Sequence, residues 1–113
     1  MEFVAASEHA LKIAKIAAQA AYDKKAENIV LLDVSEHLVI TDIFLIASAD
    51  NERQVGAIVD AIEAALDEID VDPIRREGNR EGRWVLLDYF DIVVHVQQDE
   101  ERSLYDLERL WSD

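Results

Sequence analysis

The stretch Trp84 to Gln97, WVLLDYFDIVVHVQ, decides how this chain folds. Two runs rich in Val, Leu, Ile and Trp flank the centre Asp88-Tyr89-Phe90-Asp91, the pattern of two strands joined by a turn. With Tyr89 and Phe90 as a two-residue loop, Asp88 pairs with Asp91, Leu86 with Val93 and Trp84 with His95. Side chains alternate across a strand, so one face carries Trp84, Leu86, Asp88, Asp91, Val93, His95 and Gln97. The other carries Val85, Leu87, Ile92, Val94 and Val96, is wholly apolar and has to be buried. The first face sets a Trp and a Leu among carboxylates and a histidine, a mixture suited to meeting another protein. Its alternative is a face that is also covered, with Trp84 as core. Tyr-Phe is a poor two-residue loop, because the favoured turns need φ > 0 and hence Gly, Asn or Asp. A loop longer by two residues keeps both faces, whereas an odd change flips one strand.

Upstream, the residues from about Phe3 to Lys25 are Ala-rich with helical period. Leu11, Ala14, Ala18 and Ala21 form the expected stripe, widened by Ile13, Ala17 and Ala20. Asn28 to Val34 and Ile43 to Ala49 are continuous apolar runs of strand length, and the segment between them is too short for a helical crossover. They are expected to be antiparallel neighbours, central in the sheet and shielded on both faces. Asp50-Asn51 offers caps for a helix to about Ile69, whose stripe is Val55, Ile58, Ile62, Leu66 and Ile69. Its acidic C-terminal end opposes the helix dipole. Val71-Asp72-Pro73 stops it, Ile74 to Arg76 reads as a brief edge strand, and Glu77 to Gly82 as a turn. After the hairpin, Asp99-Glu100 caps a last helix from Glu101 to Trp111, with Leu104, Leu107, Leu110 and Trp111 as its stripe. Arg102 or Arg109 is placed to pair with Asp106. The expected fold is α/β: a mixed sheet of about five strands with helices packed on it.

At 113 residues the chain reads as a single domain, 1–113, large enough for one core. It has no cysteine, hence no disulfide framework and no thiolate chemistry. No run approaches the roughly 20 apolar residues of a membrane span, and MEFVAASEHA lacks the basic start of a targeting peptide. A soluble, cytoplasmic protein is the expectation. Twenty-five acidic residues against eleven basic ones leave a net charge of −14. Nucleic-acid phosphate repels such a chain unless its positive charge is concentrated. The one concentration is Arg75, Arg76, Arg80 and Arg83, diluted by Glu77 and Glu81. A basic protein is the better partner, because an acidic surface steers and orients it.

Catalytic patterns are missing. His9, His37 and His95 have no metal-ligand spacing, the glycines Gly56, Gly78 and Gly82 make no phosphate loop, and no serine sits in a nucleophile elbow. Asp33, Asp42, Asp88 and Asp91 fall near strand ends, where carboxylates either pair on Mg²⁺ or act as solvated caps. No set of nucleophile, base and stabiliser can be completed, so binding is the expected function, with no metal or cofactor.

In their order and spacing these pieces resemble one family over roughly residues 8 to 112. Lys24-Lys25-Ala26, Ile29 to Val34 and Thr41 to Ser48 are similar to its N-terminal signature. Arg53-Gln54-Val55 with Ala57-Ile58 resembles its middle helix. Glu77-Gly78, Trp84 to Tyr89, Asp91 to Val96, Tyr105 to Glu108 and Leu110-Trp111 complete the pattern. The family is that of the ribosomal silencing factors, also called Iojap-like. The resemblance implies a nucleotidyltransferase-like core without catalytic residues, and a non-enzymatic protein that binds large-subunit ribosomal protein fourteen on the intersubunit face. It further implies obstruction of small-subunit joining, repression of translation and a homodimer when free; organelle relatives act in large-subunit assembly. The chain departs from the family in having Phe90 where glycine is usual after Asp-Tyr, and Gln97 where an aromatic is usual after His-Val.

On this reading Trp84 and Leu86 are desolvated anchors for the partner, and Asp88 and Asp91 meet basic side chains at the rim. Tyr89 and Phe90 at the tip either add apolar contact or pack inward. His95 either hydrogen-bonds across the interface or is satisfied within its own sheet. Arg75, Arg76, Arg80 and Arg83 are candidate rRNA contacts. The alternatives are an assembly factor and a residual nucleotide-binding enzyme using the strand-end aspartates.

Overall fold

A computed structural model describes residues 6–36, 38, 41–78 and 82–111, at 111 the backbone only. Its elements run α1 (Glu8–Asp23), β1 (Glu27–Asp33), β2 (Ile43–Ala49), α2 (Glu52–Asp67), β3 (Arg75–Gly78), β4 (Trp84–Asp88), β5 (Ile92–Gln98), α3 (Asp99–Tyr105) and α4 (Leu107–Trp111). The five strands form one mixed sheet in the order β1-β2-β5-β4-β3. β1 and β2 are antiparallel, as the short connection requires, and β2 runs parallel to β5 after the crossover through α2.

β2 is buried along its whole length, because it sits between β1 and β5 with helices on both sides. β1 is not the central strand its apolar run suggests. It is an edge strand with a bulge between Glu27 and Val30, and only its partly buried residues pack inward. A continuous apolar run marks burial on two faces only when a neighbour also takes the second edge, and that depends on distant chain.

The main core lies between one sheet face and helices α1 and α2. Ile43, Leu45, Val85, Leu87, Ile92, Val94 and Val96 meet Ile13, Val55, Ile58, Ile62 and Leu66 there. Each fully buried aliphatic side chain contributes roughly 1.5–3 kcal/mol. On α2, Asn51 caps the start by accepting from the Gln54 N–H at 2.8 Å. The expected stripe is buried from Val55 to Leu66, but Ile69 lies past the helix end and is exposed. On α1 the buried face is rotated from the expected one to Ala10, Ile13, Ala14, Ala17 and Ala21, while Leu11 is exposed. Alanines bring α1 close to α2, and that packing chooses the face. The helix begins at Glu8, capped by Ser7; the expected start at Phe3 lies outside the described residues.

The opposite sheet face carries a smaller cluster, Val34, Phe44, Ile46 and Leu107, with Leu32, Trp84 and Val93 packed beside it. The single helix expected from Glu101 to Trp111 is broken at Asp106, which adopts φ 34° and ψ 59° and separates α3 from α4. The break turns Leu107 inward and leaves Leu104 72% and Leu110 70% exposed, so three leucines of the expected stripe do not share a face. The Trp111 side chain lies outside the described residues.

Candidate functional site

The hairpin register differs by two residues from the expected one. Asp88 pairs with Val93, Leu86 with His95 and Trp84 with Gln97. The loop therefore has four residues, Tyr89 to Ile92, closed by the Tyr89 N–H donating to the Ile92 carbonyl at 2.9 Å. Within it the Asp91 N–H donates to the Tyr89 carbonyl across Phe90, whose φ is 74°. This is the rare strained form of the γ-turn. Asp88 supports it by accepting from the Phe90 N–H at 2.9 Å. Adding two residues preserves side-chain parity, so both faces survive the correction: Val85, Leu87, Ile92, Val94 and Val96 are all buried on the core side.

The mixed face is graded rather than uniform. On β4, Trp84, Leu86 and Asp88 are half-buried, as is Val93 on β5. A shallow cleft of about 310 Å³ lined by Glu77, Gly78, Trp84 and Leu86 opens between β3 and β4. Towards the middle of the sheet the face closes, and His95 and Gln97 are buried. His95 does not reach a surface, and one of its ring nitrogens is engaged within the sheet. The Trp84 indole N–H donates to His95 Nδ1 at 3.1 Å, which leaves the imidazole proton on Nε2. Burial pushes the imidazole down to about 4. Phe44 meets it edge-on at 4.7 Å between centroids, and Tyr105 of α3 lies tilted against Trp84 at 4.9 Å. Four rings thus run from β2 through β5 and β4 to α3. Sequence reasoning missed Phe44 and Tyr105, because nothing local joins residues so far apart.

Tyr89 packs inward into the main core, and burial, with the carboxylates of Glu63 and Asp72, pushes its phenol up to about 12. Phe90 points out and is 63% exposed. Asp91 is half-buried and 3.6 Å from His9. Beneath α3, the Gln97 amide and His95 Nε2 have no protein hydrogen-bond partner among the described residues.

Arg75 and Arg76 are engaged by the chain's own carboxylates. Arg76 meets Glu63 at 2.6 Å, while Arg75 lies 3.7 Å from Asp88 and 3.8 Å from Glu77. Arg83 precedes β4, where its carbonyl accepts from the Gln98 N–H. Arg80 lies outside the described residues, as do Glu81 and His37. The strand-end aspartates are likewise occupied. Asp33 accepts from the Ala6 N–H and from Ser35, and Asp42 accepts from the Ser7 N–H at 2.9 Å, so both hold the start of α1. Burial alone raises the Asp33 carboxyl, but its hydrogen bonds from Ser35 and Ala6 outweigh this and hold it below the usual carboxylate value. Among the described residues no group of three or more His, Asp or Glu gathers to hold a metal ion.

Residues 7–113 match the family model described as "Ribosomal silencing factor during starvation". The Bacillus subtilis ribosomal silencing factor RsfS is 46% identical over 101 residues, covering 89% of this chain and 86% of that protein. The crystal structure of a Chromobacterium violaceum protein superposes with a TM-score of 0.86 at 38% identity, covering 89% of this chain and 84% of that one. A more distant mouse relative, named for mitochondrial assembly of the ribosomal large subunit, is 28% identical over 92 residues. The match covers 79% of this chain and 40% of that protein.

Proposed function

The chain belongs to the ribosomal silencing factor family, and from that premise we propose that it docks on large-subunit ribosomal protein fourteen at the intersubunit face. There it occupies space the small subunit needs, and so represses translation in the cytoplasm. The action is steric and asks for no catalysis. Free in solution the protein pairs with a second copy, as the family resemblance implies.

The observation that carries this reading is Trp84 beside Leu86, both half-buried over an open cleft, on a chain of net charge −14. A few such anchors supply most of the energy of an interface. Asp88 and Asp91 stand at the rim to meet basic side chains, and Phe90 adds an exposed apolar tip. His95 contributes from behind, by orienting the Trp84 indole. Tyr89 supports the loop from within. Contact with rRNA through Arg75 and Arg76 is disfavoured, because the carboxylates of Glu63, Glu77 and Asp88 beside them repel phosphate while attracting a basic protein. A second reading, large-subunit assembly, is favoured by the name of the mouse relative and uses the same docking face.

A subunit-joining titration tests the proposal. Large subunits are mixed with the protein and then with small subunits, and whole ribosomes are counted by sedimentation. Wild type is expected to reduce whole ribosomes. Trp84→Ala is expected to bind about tenfold more weakly and to restore joining. Inhibition by both proteins moves the docking surface elsewhere. Co-sedimentation with large subunits but no inhibition favours assembly.

A further inference from the structure

Arg102 is 8% exposed, an unusual place for a cation in a chain of this size. Its guanidinium is shared among three segments, two of them distant in sequence. Nη2–H donates to the Asn28 carbonyl at 2.7 Å, Nη1–H to Ser48 Oγ at 3.3 Å, and Nε–H to Glu108 Oε1 at 2.7 Å. Asn28 lies within the bulge of β1 at φ 49°, and its carbonyl meets the arginine there. The charge-assisted bond from Arg102 holds the Glu108 carboxyl below the usual carboxylate value.

The Glu108 contact exists only because the helix is broken. Residues six apart on a continuous α-helix stand about 240° apart around the axis and cannot meet. The left-handed turn at Asp106 brings Glu108 back over Arg102, and the same turn seats Leu107 against Val34, Phe44 and Ile46. One turn beyond Arg102, Tyr105 is laid against Trp84. Arg102 does not line the open cleft, yet it holds the element whose Tyr105 meets Trp84.

We propose that Arg102 is a positioning residue for docking: by clasping α3 and α4 to the bulge of β1 and to β2, it holds Tyr105 on Trp84 and so presents the indole to the partner. This rests on the docking reading above, and the partner is the same basic ribosomal protein. A core arginine serving stability alone would leave the Trp84 surroundings and the affinity of folded protein unchanged when replaced by a side chain that still folds.

The test compares wild type with Arg102→Met, Arg102→Lys and Glu108→Gln. Trp84 fluorescence is read in a Trp111→Phe background, so that one of the two tryptophans is reported. Co-sedimentation with large subunits is read in the native background, and urea midpoints in both. Arg102→Met is expected to red-shift Trp84 emission, to raise its quenching by acrylamide and to weaken co-sedimentation about tenfold. Arg102→Lys keeps the charge without the three-way reach and is expected to fall between. A lowered urea midpoint with unchanged Trp84 emission and unchanged binding overturns the inference. If Arg102→Met does not fold, Glu108→Gln carries the same comparison, since it removes only the ionic arm of the clasp. Failure of wild type to co-sediment brings down the docking reading and this inference with it. Wild-type binding matched by Arg102→Met brings down this inference alone.

Discussion

Phe90 occupies the hairpin loop at φ 74°, a conformation that costs an L-residue roughly 1–2 kcal/mol. Its ring is mostly exposed, so little packing offsets that cost within the free protein. Glycine, which the family resemblance leads one to expect there, adopts the same backbone without strain but gives the unfolded chain more freedom. Phe90→Gly is therefore expected to raise stability by roughly 0.5–1 kcal/mol, read from the urea midpoint. The same variant should bind large subunits more weakly if the phenyl ring meets the partner. A lower midpoint would show that the ring packs more usefully than its exposure suggests.

Between elements, the ring series Phe44, His95, Trp84 and Tyr105 connects three strands to α3. His95 accepts from the indole only while neutral at Nδ1, and its buried position keeps it so, with a value near 4 against an ordinary 6.5. Above about pH 6.5 both folded and unfolded chains hold a neutral imidazole, and the site adds no pH dependence. As the pH falls further, the unfolded chain takes up a proton that the folded one refuses. Stability is lost until the folded value near 4 is passed, by roughly 3 kcal/mol in total. His95→Asn offers the indole an amide oxygen and does not titrate. Wild type is expected to lose about 3 kcal/mol more than this variant between about pH 7 and pH 4, in paired urea titrations. Parallel profiles would sink the assignment.

Over the whole molecule, carboxylates outnumber cations by 25 to 11, and much of the available arginine is already paired. The acidic end of α2 opposes its own dipole as part of the same excess. Self-repulsion of this kind weakens the folded state and is screened by salt. Added NaCl is expected to raise the melting temperature while slowing association with large subunits by about tenfold or more from low to physiological salt. A melting temperature that falls with salt would mean that the internal ion pairs outweigh the repulsion. An association rate indifferent to salt would remove the electrostatic half of the docking argument.

The sequence by itself determined the α/β class, nearly every element, the antiparallel pairing of β1 with β2 and the apolar face of the hairpin. Those features rest on short-range periodicity and on connection length, which neighbouring residues carry. Trp84 and Leu86 were legible as a mixed face for the same reason. Tertiary structure alone decided the hairpin register, the edge position of β1 and the rotation of α1. It also decided the break at Asp106 and the withdrawal of Tyr89 and His95 from the surface. Each of these depends on what distant chain packs alongside. A four-residue loop gains its register from Val85, Leu87 and Val94 meeting the helices. The break at Asp106 accompanies the meeting of Arg102 with Asn28, Ser48 and Glu108. No local pattern encodes Asn28 and Ser48 as partners, which lie 74 and 54 residues from Arg102.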